Sequence, residues 1–238
     1  MRLKLTIEYD GTPFRGWAAQ PGLPTVESTL ANALARTFST VERLVVAGRT
    51  DSGVHALGNV VSVSVDGGPP PERAAKAVNS RLPDAVAVVA AEAVADDFDA
   101  RFAARSRSYR YRILNRRTRS PFEVHRAWWL THELDVEALG RAAAAVRGSH
   151  DFRAFTPTGT SHKTFVRTIE RAEWIRRGDH VDFEITADAF LRHMVRALVG
   201  TTIELGPDAV APLLDGASRP DAGKTAPPWG LYLVSVAY

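Results

Sequence analysis

Cysteine is absent from the chain of 238 residues. Without cysteine the protein has no disulfide framework and no thiolate metal site. The sequence also lacks an uninterrupted run of about 18 apolar residues, so we expect no segment that spans a membrane. Residues 1–5 enter an alternating strand pattern directly. We therefore expect no signal peptide and a cytoplasmic location.

Several common functional motifs are missing as well. The chain contains no Gly-x-Gly-x-x-Gly, no Gly-x-Ser-x-Gly and no His-Glu-x-x-His. Ala222-Gly223-Lys224-Thr225 resembles the end of a phosphate-binding loop, but Ser218 stands where that loop requires a glycine. The seven histidines lack zinc-site spacing. We therefore expect chemistry without metal or cofactor, carried by carboxylate, tyrosine and arginine side chains.

The net charge of +3 hides a strong concentration of arginine. Nine arginines lie between Arg101 and Arg126, where Glu123 is the single acid. This segment carries +8, so the rest of the chain carries about −5. Such a stripe predicts a polyanionic partner. A solvated, arginine-rich face is the alternative interpretation.

Aromatic and cationic side chains alternate within this stripe. In a strand, Tyr109 and Tyr111 would lie on one face, and Arg110 and Arg112 on the other. Arginine supplies phosphate contacts and tyrosine can stack on a base. The pattern therefore favours a nucleic acid as the partner.

The apolar spacing predicts alternating strands and helices in both halves of the chain. The basic loop 116–126 is the best candidate boundary between them. The order of elements indicates two similar α+β halves that share one sheet, with a groove between them. Strands are predicted over residues 3–9, 44–47, 59–65, 85–91, 106–115, 164–176, 181–186 and 231–236, and helices over 26–38, 71–82, 135–147, 190–205 and 207–214.

A turn within residues 48–56 presents one carboxylate, Asp51, after the apolar run 44–47. Gly48 and Gly53 allow backbone conformations that other residues avoid. A carboxylate on a turn after a strand is held rigidly yet presented to solvent, as a reactive group must be. Asp-Ser-Gly is also ordinary turn chemistry. The local pattern leaves both interpretations open.

The predicted helix from residue 190 carries a second candidate group. Its apolar stripe leaves Arg192 and Arg196, four residues apart, on one flank. One of these arginines could face a groove and pair with an acid or a phosphate. Two surface arginines beside a core stripe would give the same pattern. Trp128 and Trp129, like Phe152 and Phe155, are expected in the core.

Seven segments, taken in order, resemble the tRNA pseudouridine synthase A family. Each alone is a weak signal, but seven in the right order are highly specific. They are Ile7-Glu8-Tyr9-Asp10-Gly11 with Gly16-Trp17, residues 47–56, Asp97-Phe98-Asp99-Ala100-Arg101-Phe102, Tyr109-Arg110-Tyr111, Asp151-Phe152-x-x-Phe155, Phe190-Leu191-x-x-Met194-Val195-Arg196-x-x-Val199-Gly200, and Thr225-Ala226-Pro227-x-x-Gly230-Leu231.

The resemblance implies that Asp51 is the essential carboxylate and nucleophile. Uridine is detached from its ribose at N1, turned and rejoined through C5. The carboxylate could attack C6 of uracil or C1′ of ribose, or assist elimination, and the sequence does not choose among these routes. Tyr109 would stack on the flipped uracil and help remove the C5 proton. Arg196 would pair with Asp51 and keep it ionised, while Arg49 would hold the space vacated by the base.

The resemblance also implies a substrate, an assembly and a fold. The substrate is the anticodon stem-loop of tRNA at positions 38 to 40, and the enzyme is a homodimer that uses no metal or cofactor. The implied pseudouridine synthase fold is α+β, with two similar halves that share a central, largely antiparallel sheet. Helices pack on one face, and a basic RNA-binding cleft lies between half 1–115, which carries the catalytic Asp, and half 116–238, which completes the cleft. Substrate contacts are expected from Tyr109, Arg49, Arg107, Arg110, Arg112 and His55.

Two other functions fit parts of the sequence. A non-catalytic RNA-binding or RNA-chaperone module would use the same arginines without needing Asp51. A carboxylate nucleosidase or glycosidase acting on small substrates would need a second carboxyl group as general acid, and it leaves the arginine stripe unexplained. The enzyme acting on tRNA is the interpretation that uses every segment.

Overall fold

The structure is a computed structural model that describes residues 1–160 and 162–238. It divides the chain into two compact units, one of residues Met1–Arg105 with Tyr232–Tyr238 and one of residues Ser106–Leu231. Both contain strands and helices, so the predicted α+β class is confirmed. Within the described residues, no helix is long and apolar enough to cross a membrane.

The first unit is built on strands that pair mostly antiparallel. They are β1 (Arg2–Tyr9), β2 (Thr40–Val46), β3 (His55–Asp66), β4 (Val86–Val94) and β10 (Leu231–Ala237). The central pair is β1 with β3, and β4 and β2 extend it antiparallel on either side. The last strand of the chain, β10, runs parallel to β3, with Tyr232 opposite His55.

Two helices accompany these strands, α1 (Val26–Ala35) and α2 (Pro71–Asn79). The Thr25 side chain caps α1 by accepting a hydrogen bond from the Ser28 N–H. Helix α1 ends at Ala35, before the predicted residue 38. The following turn still brings Phe38 into the core, where it is 4% exposed.

The second unit has a similar plan. Its strands are β5 (Ser106–Asn115), β6 (Trp128–Leu130), β7 (Gly148–Asp151), β8 (Val166–Arg177) and β9 (His180–Ala187), and its helices are α3 (Val136–Ala145) and α4 (Met194–Leu205). Strand β5 pairs antiparallel with β9, β9 with β8, and β8 with β7, whereas the short β6 runs parallel to β5.

The structure corrects several predicted elements of this unit. Helix α4 begins at Met194 rather than at residue 190, because His193 takes a left-handed φ of 62° and the Met194 N–H closes a turn on the Leu191 carbonyl. The helix predicted over 207–214 is two 3-10 turns, Pro207–Ala209 and Ala211–Leu214. Strands β6 and β7 were not predicted, because each has only three or four residues.

The prediction that aromatic residues of this unit lie in the core is confirmed for two phenylalanines and wrong for one tryptophan. Phe152 and Phe155 are fully buried, as predicted. Trp129 is 42% exposed, and its indole N–H donates to the Arg116 carbonyl. Trp129 was therefore wrongly placed in the core, since adjacent residues of a strand point to opposite faces.

The compact units do not coincide with the halves drawn at residue 115. Strand β5 belongs to the second unit because it pairs with β9 over eight residues. Strand β10 returns to β3 of the first unit from Tyr232 onward. Which residues form the two functional halves stays a prediction.

Candidate active site

Asp51 lies half-buried in the loop between β2 and β3. The Val54 N–H donates to the Asp51 carbonyl at 3.1 Å, which closes a four-residue turn. Gly53 occupies the third position with φ of 77°, as a type II turn requires. Asp-Ser-Gly is therefore a turn, and the turn fixes the backbone that carries the carboxylate.

The loop that follows β1 packs tightly against the Asp51 turn. The Trp17 N–H donates to the Thr50 carbonyl at 3.0 Å, and the Ser52 hydroxyl donates to the Phe14 carbonyl at 3.2 Å. A Cβ on Gly11 would lie 2.0 Å from the Val54 carbonyl oxygen. Gly16 has φ of 90°, which disfavours any side chain there. These contacts explain why glycines at both positions belong to the candidate site.

Three buried polar side chains hold the other side of the turn. The Asn59 amide donates to the Gly48 carbonyl at 2.8 Å and to the Tyr9 hydroxyl at 3.2 Å. The Tyr9 hydroxyl lies 2.8 Å from the Thr50 hydroxyl. Burial raises the pKa of Tyr9 to about 12, so its phenol stays protonated at neutral pH. Residues on both sides of Arg49 are thus tied to the core.

Sequence reasoning did not select Asn59 as part of the site. It begins the predicted strand 59–65 as an uncharged polar residue, and in the structure it is fully buried. A buried amide needs partners, which makes a polar residue in an apolar strand the signal that could have found it.

His55 is buried behind the turn rather than presented at the surface of the first unit. It is 1% exposed, and its ring stacks on Tyr232 with centroids 4.6 Å apart. Nδ1 accepts the Gly11 N–H at 3.0 Å. Asp10 Oδ1 lies 3.2 Å from the same nitrogen. The predicted contact of His55 with substrate stays a prediction.

Arg49 has the opposite environment. It is exposed, and its side chain makes no hydrogen bond or ion pair with any residue that the structure describes. Its backbone is nevertheless fixed, because Gly48 and Thr50 are both held by the buried polar residues. An exposed cation on a fixed backbone is available to a ligand.

Tyr109 lies on β5 of the second unit, opposite Ile185 of β9. It is 9% exposed, and its ring meets Phe190 edge-on with centroids 4.9 Å apart. Tyr111 lies opposite Phe183 and is fully buried. The predicted alternation of tyrosine and arginine faces along this strand is confirmed.

The arginine face of β5 is largely matched by carboxylates. Arg110 donates to Glu184 at 3.1 Å across the strand pair. Arg112 lies 3.4 Å from Glu123 and donates to His180 Nε2 at 3.1 Å. Arg107 shares the parity of the tyrosines along this strand, and it donates to the Asp188 carbonyl at 2.8 Å. Part of the stripe therefore stabilises the strand pair, and RNA contacts from these three arginines stay predictions.

The remaining stripe contains arginines of a different kind. Arg105, Arg117 and Arg119 are exposed, and none of the three pairs with a carboxylate among the described residues. Arg116, by contrast, bonds Asp179 at 2.9 Å. Arg105, Arg117 and Arg119 therefore carry uncompensated positive charge in the segments directly before and after β5.

Arg196 lies in the first turn of α4 and is half-buried. Its Nε donates to the Ala226 carbonyl at 2.9 Å, and the Ala226 N–H donates back to the Arg196 carbonyl at 3.0 Å. The Tyr111 hydroxyl donates to the neighbouring Pro227 carbonyl at 2.8 Å. Burial raises the pKa of Tyr111, and the charge of Arg196 partly opposes this rise.

Glycines bring this segment onto α4 and β5. A Cβ on Gly200 would lie 1.8 Å from the Lys224 carbonyl oxygen, and one on Gly230 would lie 2.7 Å from the Tyr111 ring. The Gly223 N–H also donates to the Thr201 hydroxyl at 3.1 Å. The Thr225-Ala226-Pro227 segment therefore orients Arg196.

The candidate residues form one group in each unit. Arg49, Asp51 and His55 share the loop after β2, whereas Tyr109 and Arg196 belong to the second unit. Across residues 1–160 and 162–238, no cluster of three or more His, Asp or Glu side chains could hold a metal ion. The pairing of Asp51 with Arg196 stays a prediction.

Comparisons with known proteins agree on one family. The model of the family described as tRNA pseudouridine synthase matches residues 5–103 and 142–238. The chain is 44% identical to tRNA pseudouridine synthase A of Rhodopseudomonas palustris strain HaA2 over 246 residues, which covers 100% of this chain and 99% of the relative.

Two further relatives match to a similar extent. The enzyme of the same name from Moorella thermoacetica is 43% identical over 243 residues, with 99% of both chains covered. That from Acetivibrio thermocellus is 42% identical over 241 residues, with the same coverage. Similarity of this extent over the whole length shows that the chain belongs to the tRNA pseudouridine synthase family.

Proposed function

We propose that the protein converts uridine to pseudouridine in the anticodon stem-loop of tRNA, at positions 38 to 40. The observation that carries the proposal is the 44% identity to a tRNA pseudouridine synthase A over the entire chain. The protein is thus an isomerase that acts on tRNA. The assignment of positions 38 to 40 is more specific than the assignment of the reaction, and it comes from the family resemblance.

The reaction needs no external oxidant or reductant. The N1–C1′ bond breaks and a C5–C1′ bond forms, while C5 loses a proton and N1 gains one. Substrate and product are therefore isomers. The protein has to activate the ribose or the base, turn the detached uracil and move protons.

We assign the role of nucleophile to Asp51. Support comes from its loop, where hydrogen bonds to Gly48, Thr50 and Ser52 leave the backbone little freedom. A carboxylate held in this way loses little entropy when it meets the substrate. Attack at C6, attack at C1′ and assistance of elimination all use a carboxylate at this position.

We assign complementary roles to two residues of the second unit. Arg196 pairs with the Asp51 carboxylate and keeps it ionised, which its orientation by Ala226 supports. Tyr109 stacks on the flipped uracil and assists removal of the C5 proton. Its ring is already held edge-on by Phe190, so a base can stack without reordering it.

RNA binding is assigned to the arginines that retain uncompensated charge. Arg49 would occupy the space left by the flipped base, which costs a few kcal/mol to extrude. Arg105, Arg117 and Arg119 would contact phosphates, so tRNA affinity would fall steeply with salt.

We further propose a homodimer and a cytoplasmic location, where tRNA is modified. Three exposed apolar residues of the second unit support the homodimer, since Phe122 is 86%, Val124 55% and Trp129 42% exposed. Sedimentation equilibrium tests it: Phe122→Asp should sediment as a monomer. A monomeric wild-type protein would contradict the homodimer.

The reaction is tested by incubating the protein with unmodified tRNA transcripts and mapping pseudouridine by carbodiimide-stop sequencing. We expect new stops at positions 38 to 40. The absence of a new site would contradict the proposed function. Release of free uracil from the RNA would instead favour a nucleosidase, and RNA binding without product would favour a chaperone.

A further inference from the structure

Phe102 is a large apolar side chain that the fold leaves in solvent, with 82% of its surface exposed. Isolated apolar residues are common on protein surfaces, so exposure alone does not indicate a binding site. The turn that carries Phe102, however, is held by several hydrogen bonds.

The side chain of Asp99 organises this turn. Its Oδ1 accepts the Arg101 N–H at 2.8 Å and the Phe102 N–H at 3.0 Å. The Ala103 N–H donates to the Asp99 carbonyl at 2.9 Å. The backbone at Phe102 is therefore held from both sides, which is the arrangement expected of a side chain presented for contact.

Buried groups anchor the same turn to the core of the first unit. Ala100 is fully buried, its N–H donates to the Ser62 hydroxyl at 3.1 Å, and its carbonyl accepts the Tyr238 hydroxyl at 2.9 Å. Arg2, which is 1% exposed, donates to the Phe98 carbonyl at 3.0 Å and to the same Ser62 hydroxyl at 2.7 Å. The turn cannot fold back to bury the Phe102 ring without breaking these bonds.

The turn also lies beside the candidate catalytic loop. Ala100 packs with Ala47 and Val60 in one buried cluster. Ala47 directly follows β2, and Asp51 lies four residues beyond it. Phe102 thus lies two residues after Ala100, which packs against the start of that loop.

The surroundings of the ring carry positive charge. The Arg101 guanidinium lies 5.7 Å from the Phe102 ring centroid. Arg105 is exposed, and its side chain makes no hydrogen bond or ion pair within the described chain. No acid occurs between these two arginines in the sequence, and Asp99, two residues before Arg101, accepts hydrogen bonds within the turn. Asp96 and Asp97 precede this turn in the chain.

We propose that Phe102 stacks on an unpaired base of the RNA substrate, while Arg101 and Arg105 contact the flanking phosphates. This inference rests on the proposed function and adds a contact outside the reacting nucleotide. An aromatic ring between arginines matches both parts of a single-stranded nucleotide, because every base has a π-face and every phosphate is anionic. A paired stem offers no base face to stack on.

The test measures binding of an unmodified tRNA transcript by fluorescence anisotropy in the Asp51→Asn background, where turnover is blocked. Phe102→Ala should raise the Kd about 5- to 150-fold, the range for losing one base–aromatic stack. Phe102→Trp should keep the Kd within about threefold. Phe102→Leu should bind as weakly as Phe102→Ala, because leucine is apolar but cannot stack.

Two controls separate stacking from other effects. Val89→Ala truncates another exposed apolar residue of the first unit, 58% exposed, and should leave the Kd unchanged. A fully paired RNA duplex should bind Phe102→Ala and the parent protein equally. Because Phe102 is exposed, its variants should also unfold at the parent temperature.

Unchanged tRNA affinity of Phe102→Ala, retained affinity of Phe102→Leu, or an equal loss with the duplex would each overturn the inference. The proposed function has its own readout, pseudouridine formation by the protein with Asp51 intact. Product formation with unaltered binding by Phe102→Ala would refute the stacking contact alone. Weakened binding without any product would refute the proposed function alone.

Discussion

Arg196 and Ala226 are joined by two reciprocal hydrogen bonds, from the arginine Nε to the alanine carbonyl at 2.9 Å and from the alanine N–H to the arginine carbonyl at 3.0 Å. The main chain at Ala226 thereby sets the direction of the guanidinium. Charge alone does not account for an arginine here, since a lysine would supply the charge without the Nε donor.

Arg196→Lys should therefore lower kcat far more than it raises KM. We expect kcat to fall about ten- to a hundredfold, because the cation is kept but its orientation is lost. Steady-state kinetics with a tRNA transcript measures this. Arg192→Lys, an exposed arginine of the preceding turn, is the matched control and should retain the parental kcat. Equal kcat values for both variants would show that orientation by Ala226 is unimportant.

Gly200→Ala should displace the segment that orients Arg196. The added Cβ would lie 1.8 Å from the Lys224 carbonyl oxygen, so the backbone has to shift. Overpacking of this kind costs about 1–3 kcal/mol. We expect a lower Tm together with a lower kcat.

Gly140→Ala is the matched control for this substitution. Gly140 lies inside α3, and its added Cβ would meet nothing within 4 Å. Alanine there should stabilise the helix by about 0.5–1 kcal/mol and leave kcat unchanged. Thermal unfolding and steady-state kinetics on both variants decide the point. Equal Tm values for the two would refute the close contact of Gly200 with Lys224.

Asn59→Ala should loosen the loop that carries Asp51. It leaves the Gly48 carbonyl and the Tyr9 hydroxyl without their donor in the core, at a cost of about 1–3 kcal/mol. We expect lower stability in urea and a lower kcat. Asn79→Ala is the control, since Asn79 bonds the Val88 backbone twice but lies at the surface, away from this loop. Asn79→Ala should lower stability in urea and leave kcat unchanged. A parental kcat for Asn59→Ala would contradict the account.

Tyr9 should make the protein less stable at alkaline pH. Its pKa is raised by burial from 10.0 to about 12, so the folded state retains the phenol proton after the unfolded state has lost it. Stability from this group is fully present below pH 10 and is lost as pH rises from about 10 to 12, by about 3 kcal/mol.

Urea unfolding between about pH 8 and 11 measures this dependence, and Tyr9→Phe removes its contribution. The variant should lose stability less steeply with rising pH than the parent. Some slope should remain, because burial also raises the pKa of Tyr111. Parallel curves for parent and variant would show that Tyr9 does not titrate with unfolding.

Sequence reasoning succeeded where the structure depends on neighbours along the chain. The alternation along β5 placed Tyr109 and Tyr111 on one face, because strand geometry determines it. The turn at Asp51 could likewise be predicted, because Gly53 supplies the positive φ that this turn requires.

Features that depend on segments far apart in the chain could not be predicted from the sequence. The partner of Arg110 is Glu184, 74 residues away, so pairing could not be told from a solvated stripe. The contact of Gly200 with Lys224 is equally non-local. The predicted start of helix α4, at residue 190, was too early because apolar spacing continues through the left-handed residue His193.

The central claim is that the Asp51 carboxylate carries out the isomerisation. The most direct measurement is release of tritium from tRNA labelled at C5 of uridine, because forming the C5–C1′ bond frees that hydrogen. The wild-type protein should release it, and Asp51→Asn should bind the same tRNA with similar affinity yet release none. Release by Asp51→Asn at the wild-type rate would contradict the account.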